Sequence, residues 1–462
     1  TIYIGGCVMK KLMLICAPVT SRSGYGAHAR DLVWSFLQHD KYDIKILDVR
    51  WGDCPRNALD KNNTRDKQLL DCILPQPTLD NQPDIYVDIR IPNEFETYGK
   101  FNIGITAGIE TDVVSQKWID GCNKMDLVIV PSEHSKAGFV NTIYDKVQQL
   151  TDGKQQKVGE LKLEKPIEVL FEGADEDIYK PLTNDEIDSD FFDILNEKVS
   201  EKFAFLFVGQ WTKGGFGEDR KDIAKMIKLF YETFANQEKQ PALILKTNGA
   251  TYSILDKEEI LAKINFVKDM FPKDTQLPNI YLLHGNLSDV EINYLYNHPK
   301  INTMISLTHG EGFGRPLLEA SMTGLPVIAT AWSGQLDFLN QDKSMLIGGE
   351  LQPVPRSMHW QDIIVPESKW FVVDENSTRG AMKFACENKY EIKSKGQGLM
   401  YENREKFTLN MMTEKLDEIL EKHTSNLPSQ VQLKLPKLKK VSDDKKELPK
   451  IKLPKLKKVT EV

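Results

Sequence analysis

Six cysteines in 462 residues, none spaced as CxxC, supply neither a zinc knuckle nor a disulfide framework. A reducing, cytoplasmic setting is the expectation that follows. Long apolar runs are missing too: the longest, at 202–209 and 325–331, are strand-sized and fall far short of the roughly eighteen residues a membrane-spanning helix needs. Positive charge is not in excess either. The net charge is −7, and because residues 431–462 alone carry +7, the remainder carries −14. Such an acidic body repels nucleic acid by its net field, so no nucleic-acid partner is expected. With 40% hydrophobic and 27% charged residues the composition excludes wholesale disorder. The length fits two domains and an appendage.

Met9-Lys10-Lys11 followed by apolar residues to Val19 imitates a short signal peptide. An apolar run ending in a polar, glycine-containing loop reads better as the first buried strand of an α/β fold, with Met9 as a start and no function for residues 1–8. Further buried-strand patterns fall at 11–17, 43–49, 84–91, 101–106, 126–131 and 167–171, with helical patterns between them, including 27–38 and 133–144. After a polar, acidic stretch near 181–190 the pattern restarts at 203–208, 242–246, 280–284, 303–307, 326–330 and 370–373. Between the first two of these, Ile223, Met226, Ile227, Phe230 and Phe234 recur at helical spacing. Val/Ile/Leu-rich runs with helices between them indicate parallel sheets covered on both faces, a doubly wound α/β architecture in two Rossmann-like halves. Ligands in such sheets bind outside the carboxyl ends of the strands, which directs attention to the cleft between the halves. The boundaries read as 9–182, 183–405, a closing helix at 406–423 with Leu409, Met412, Leu416, Ile419 and Leu420 on one face, and a basic repetitive tail at 424–462.

The most informative string is His309-Gly-Glu-Gly-Phe-Gly-Arg-Pro-Leu-Leu-Glu-Ala320. It follows a buried strand and opens a helix. Gly310, Gly312 and Gly314 allow close backbone approach, and Pro316 suits the first helical turn, where its missing N–H costs nothing. The amides of Phe313, Gly314 and Arg315 then point outward at a positive helix end, an arrangement suited to a diphosphate. Glu311 lies in the loop and Glu319 one turn into the helix, and carboxylates accept well from sugar hydroxyls.

This string resembles the signature of the retaining, nucleotide-sugar-dependent glycosyltransferases of the GT-B fold, family 4 in particular. Gly324-Leu-Pro-Val-Ile-Ala329 with Trp332-Ser-Gly334 is similar to the segment that comes next in that family. Val169-Leu-Phe-Glu-Gly-Ala-Asp175 resembles its passage at the end of the first domain, with Phe171, Glu172 and Ala174 departing from it. Val208-Gly209 with Arg220-Lys221-Asp222 matches the opening of the second domain, and Phe407-Thr-Leu409 resembles the family's Phe-Ser-Trp before the closing helix.

The resemblance implies roles residue by residue. Lys221 falls where the family places a lysine on the donor diphosphate. The arginine commonly found after the strand glycine is Gln210 here, which leaves Arg220, Lys213 or Lys246 as the second cation. Leu283-His-Gly-Asn-Leu-Ser288 resembles the loop that cradles the nucleobase through backbone, Gly285 included, with His284 structural. Gly24 and Gly26 resemble the flexible loop facing donor sugar and acceptor, ahead of His28 and Arg30. Ile109-Glu-Thr-Asp112 is similar to an acceptor-side Glu-Thr, so Glu110 and, by analogy with another branch, His134 are acceptor contacts. Gly312, Phe313, Gly314, Arg315 and Glu319 belong to the donor, Glu319 on the ribose, and Glu311 orients the transferred sugar.

No DxD pair stands where a metal-dependent GT-A enzyme uses one, so neither metal nor cofactor is expected beyond a UDP- or GDP-linked sugar as substrate. The implied reaction is attack on the leaving-group face of the sugar by a glycan, lipid or protein acceptor. Two other readings stay open: a different GT-B sugar-nucleotide enzyme such as an epimerase, and a non-catalytic scaffold with a basic docking tail.

That tail contains Lys434-Leu-Pro-Lys-Leu-Lys-Lys-Val441, repeated at Lys452 to Val459, with prolines at 436, 449 and 454 that break any helix. It can fold back, stay solvated, which composition alone favours, or dock on an anionic membrane or polymer, since basic residues contribute about 1 kcal/mol each near such a surface. If it docks, deleting 431–462 leaves transfer to a soluble acceptor intact and reduces sedimentation with anionic liposomes at low salt. Failure of the full-length chain to sediment excludes membrane docking.

Overall fold

The computed structural model describes residues 10–149, 155–212, 214–249 and 251–427. Residues 1–8, Lys213 and the basic repeat lie outside them. The first half runs β1 (Lys11–Ala17), α1 (Gly24–Gln38), β2 (Tyr42–Asp48), α2 (Thr64–Cys72), β3 (Ile85–Ile89), β4 (Phe101–Ile105), α3 (Gln116–Lys124), β5 (Leu127–Val130), α4 (Glu133–Asn141), a hairpin of β6 (Tyr144–Gln149) and β7 (Gln155–Leu161), and β8 (Ile167–Val169). Six of these strands form a parallel sheet in the order β2-β1-β3-β4-β5-β8. The second half runs α5 (Ser189–Lys198), β9 (Ala204–Gln210), α6 (Ile223–Phe234), β10 (Ala242–Asn248), α7 (Ile254–Lys268), β11 (Ile280–Leu283), α8 (Asp289–Asn297), β12 (Ile301–Ser306), α9 (Arg315–Met322), β13 (Val327–Thr330), β14 (Met345–Ile347), β15 (Gly349–Pro353), β16 (Lys369–Val373), α10 (Glu375–Glu387) and α11 (Lys389–Lys406). Its parallel sheet is ordered β11-β10-β9-β12-β13-β14.

Both sheets are sandwiched by helices, which is why their strands read as unbroken apolar runs rather than alternating ones. All five apolar residues picked out on α6 are buried, in one core with Phe205, Phe207, Leu243 and Leu245. A last helix, α12 (Leu409–Thr424), returns to the first half. Its Leu409, Met412, Leu416, Ile419 and Leu420 share a core with Met13, Ile15, Leu32 and Val87. The outgoing and returning chains pair where they cross: Ala174 N–H donates to the Phe407 carbonyl (3.0 Å), and Leu409 N–H to that of Ala174 (2.8 Å). A Cβ on Gly173 would sit 2.5 Å from the Thr408 carbonyl oxygen, so this crossing requires glycine.

One strand expectation needs correction. The run at 370–373 does not join the second sheet, because β16 pairs antiparallel with β15. Its hydrogen-bonding capacity is taken elsewhere: Phe371 N–H donates to the His309 carbonyl (3.0 Å), and His309 Nδ1 donates to the Phe371 carbonyl (2.6 Å) while its ring stacks on Trp370 at 4.2 Å. The sixth strand is β14, only three residues long. The β6–β7 hairpin carries too few apolar residues to announce itself.

Because α12 is distant in sequence yet completes the first core, Leu416→Ala should cost about 2–5 kcal/mol of stability, read as a lowered denaturant midpoint with an unchanged slope.

Candidate functional site

In a doubly wound sheet, chains leaving two adjacent strands toward opposite faces leave a crevice at their carboxyl ends. In the second half these strands are β9 and β12. The loop after β9 carries Arg220 and Lys221, and the loop after β12 carries the 309–314 string. The topology therefore brings together groups ninety residues apart.

Gly314 caps α9 with φ +102°, a left-handed conformation that favours glycine, and Pro316 stands in the first turn. Among the described residues none accepts a hydrogen bond from the N–H of Phe313, Gly314 or Arg315. The positive end of α9 is thus available to an anion. The other glycines serve a purpose the sequence did not disclose. A Cβ on Gly312 would lie 1.9 Å from the Ala107 carbonyl oxygen, and one on Gly310 would lie 2.1 Å from that of Glu110. They admit the backbone of the first half. Ser132 Oγ, also from the first half, donates to the Gly312 carbonyl (2.6 Å).

Glu311 is held from several directions. Its N–H donates to Ser333 Oγ (2.9 Å), and Gly334 N–H donates to its carbonyl (3.0 Å). Ser333 adopts φ +77°, a left-handed conformation that costs a non-glycine residue about 1–3 kcal/mol, and its hydroxyl donates to Gln335 Oε1 (2.8 Å). The Glu311 carboxylate pairs with Lys221 and with Arg220 (3.2 Å), and Arg220 also reaches Glu110 at 3.5 Å. Burial disfavours the Glu311 charge, but the two cations outweigh it and hold its pKa below the ordinary value.

A second charged cluster joins α1, α2, the 172–175 segment and α9. Arg315 reaches Asp31 at 2.5 Å, Glu319 at 3.5 Å and Glu172 at 3.9 Å. Asp31 also pairs with Arg65, which bonds Asp175 at 3.0 Å. Burial raises Glu319 to about 7 and Glu172 to about 8, with Arg315 opposing both shifts. His28, 3.8 Å from Glu172, is pushed by burial down to about 3, and neither ring nitrogen has a hydrogen-bond partner among the described residues. Burial thus favours the neutral form of both groups.

Comparison with known proteins bears on this geometry. Residues 272–353 match the family model described as glycosyl transferases group 1. No curated protein matches the chain by sequence. Among solved structures, the HepE protein of Anabaena in complex with UDP and glucose is 12% identical, with a TM-score of 0.56 over 89% of this chain and 100% of its own. Sucrose-phosphate synthase of Thermosynechococcus elongatus is 12% identical (TM-score 0.58, 90% and 99%), and a glycosyltransferase of Rickettsia africae 14% identical (TM-score 0.57, 90% and 99%). The fold is GT-B.

In this GT-B cleft the structure brings Glu110, Arg220, Lys221, Glu311, Gly312, Phe313 and Gly314 into one neighbourhood, with Arg315 and Glu319 along α9. Phe313 contributes only backbone, its ring being buried against Phe338. Gln210 ends β9, paired in register with Asn248. Gly285 follows β11 with φ +127° and accepts from Lys246 Nζ (2.8 Å). Gly26 packs beneath Ser21, where a Cβ would lie 2.2 Å from its carbonyl oxygen, whereas Gly24 opens α1 with free space around it. His134 is half-buried, edge-on to Trp332 at 4.6 Å, and desolvation lowers it to about 4. Sequence reasoning did not find Asp31, Arg65 or the Ser333 hydroxyl. The Asp31–Arg315 pair spans 284 positions, a separation at which no local pattern exists.

The raised Glu172 pKa makes a pH prediction. In the window from about 4.5 to 8 the native state binds a proton there that the unfolded chain has released, so this group's contribution to stability falls as pH rises. Glu172→Gln should flatten that decline in denaturant midpoints measured from pH 5 to 8. An unchanged pH slope would show that Glu172 is ionised in the folded protein.

Proposed function

We propose that this chain is a retaining, metal-independent glycosyltransferase that moves a hexose from a UDP- or GDP-sugar to a hydroxyl of a glycan, lipid or protein acceptor. The observation that carries this reading is the unpaired amide end of α9 beside Lys221, Arg220 and Glu311, in a cleft of GT-B form. The match to glycosyl transferases group 1 and the UDP and glucose bound to the HepE protein support it. The free cysteines among the described residues suit a reducing compartment, and we place the chain in the cytoplasm.

In this reading the diphosphate lies on the amides of Phe313 to Arg315 and takes Lys221 from Glu311. The carboxylate so released turns to the sugar hydroxyls. As the bond from anomeric carbon to phosphate oxygen breaks, the cation and helix end stabilise the charge that develops on the leaving group, the kind of contribution that dominates such sites. The acceptor hydroxyl attacks from the same face, forming the new glycosidic bond, and its proton passes to the departing phosphate oxygen. Glu319 holds the ribose, and Glu110, at the outer edge of the cluster, faces the acceptor.

The experiment is a thermal-shift screen of UDP, GDP and their sugars, followed by nucleotide release with and without acceptors. The matching diphosphate should stabilise the chain by about 2.7 kcal/mol at a hundred times its dissociation constant. Glu311→Gln should then lower turnover far more than nucleotide affinity, as expected when a transition-state contact is lost. Indifference to both nucleotides refutes the donor site, and activity abolished by chelator and restored by Mn²⁺ refutes the metal-independent mechanism.

A further inference from the structure

The charged clusters of the cleft share a rule: Arg220, Lys221, Arg315 and Arg65 each pair with at least one carboxylate. Lys246 breaks it. Its side chain is buried, 8% exposed, near the carboxyl end of β10. Its one hydrogen bond among the described residues runs to the Gly285 carbonyl at 2.8 Å, and no described carboxylate lies within ion-pair distance. An ammonium has three N–H donors, so two remain unused. A buried charge without a counter-ion is costly, and burial lowers this pKa to about 8, which still leaves the ammonium as the main form at neutral pH.

Its position indicates what would offset that cost. Lys246 is in register with Val208 of β9 on one side and Leu283 of β11 on the other. By strand alternation its side chain shares a face with Val208 and Gln210, the residue that supplies no charge at the end of β9. Lys221 reaches the same strand end from the opposite face, its Cε 3.6 Å from where a Cβ on Gly209 would stand, whereas Lys246 lies on the face on which α9 packs with Val208. Lys246 thus stands between the loop after β11, which carries Gly285, and the end of β9, where Lys221 is paired with Glu311. An anion meeting Lys221 must displace Glu311, whereas an anion meeting Lys246 displaces no ion pair.

We infer that Lys246 is a donor-binding residue whose ammonium takes the α-phosphate of the nucleotide, in place of the charge that Gln210 lacks. The inference rests on the donor site proposed above and adds to it a residue on a different strand. The competing role is a strut, in which Lys246 only ties the loop at Gly285 to β10.

Titration calorimetry with the nucleoside, its monophosphate and its diphosphate separates the two, using UDP or GDP, whichever the wild type binds. Lys246→Met should weaken the monophosphate and the diphosphate by about tenfold or more, the scale of a charge-assisted hydrogen bond, and leave the nucleoside unchanged. Lys246→Arg should recover part of the loss, and Lys246→Gln serves if the methionine variant does not fold. Unchanged diphosphate affinity, or an equal loss for the bare nucleoside, overturns the assignment and leaves the strut. If the wild type itself binds neither diphosphate, the donor site falls and this inference with it, a result distinct from a wild type that binds beside a variant that binds equally well.

Discussion

The cleft depends on a contact between two pieces of backbone. Where Gly312 would carry a side chain stands the Ala107 carbonyl oxygen, 1.9 Å from that point, and Gly310 meets the Glu110 carbonyl in the same way. Since no real Cβ tolerates such a distance, the loop after β12 and the segment after β4 can touch only through glycine. The consequences spread outward: Gly312 presents its carbonyl to Ser132, Glu311 is anchored by Ser333 and Gly334, and Gly314 turns the chain into α9 with its first amides unpaired among the described residues. Fixed donors of this kind need no reorganisation when an anion arrives.

The strain at Ser333 belongs to the same arrangement. A left-handed serine persists only where its surroundings over-determine it. Here the hydroxyl is bonded on both sides, accepting from Glu311 N–H and donating to Gln335, whose amide nitrogen reaches Thr330 Oγ1 at 2.8 Å. Glu311 is therefore tied to the end of β13 through a chain of buried hydrogen bonds. The backbone is held by these neutral bonds, while the carboxylate is held chiefly by Lys221 and Arg220.

How much of this was legible in the sequence follows from the range of each interaction. Parallel strands buried on both faces announce themselves as apolar runs, so the order of elements and the two-sheet architecture were readable, as was the local string that turns a loop into α9 with Pro316 in its first turn. Strand 370–373 was read as part of the sheet because an apolar run says nothing of the partner, and that partner is fixed by His309 and by β15. Glu311 and Lys221 could each be singled out from nearby residues. Their pairing could not, nor could the link from Asp31 to Arg315, because the partners meet only once both sheets have formed.

A division of charge follows from the same topology. At the Arg220–Glu110 and Arg315–Asp31 contacts the cation belongs to the half that carries α9 and the carboxylate to the other half. Of the two, Arg315–Asp31 is the more buried, and such a pair recovers its desolvation cost only while both partners are present. Without the first half each cation loses at least one of its carboxylates, and Arg220 keeps Glu311 and Arg315 keeps Glu319. Burial favours the neutral forms of His28 and Glu172 beside Arg315, so neither adds to the charge that these pairs must balance. Glu110 and Asp31 thus supply the first half's share of the counter-charge beside a helix end whose amides bond to no described residue, and electrostatic complementarity of this kind fixes how the two halves meet.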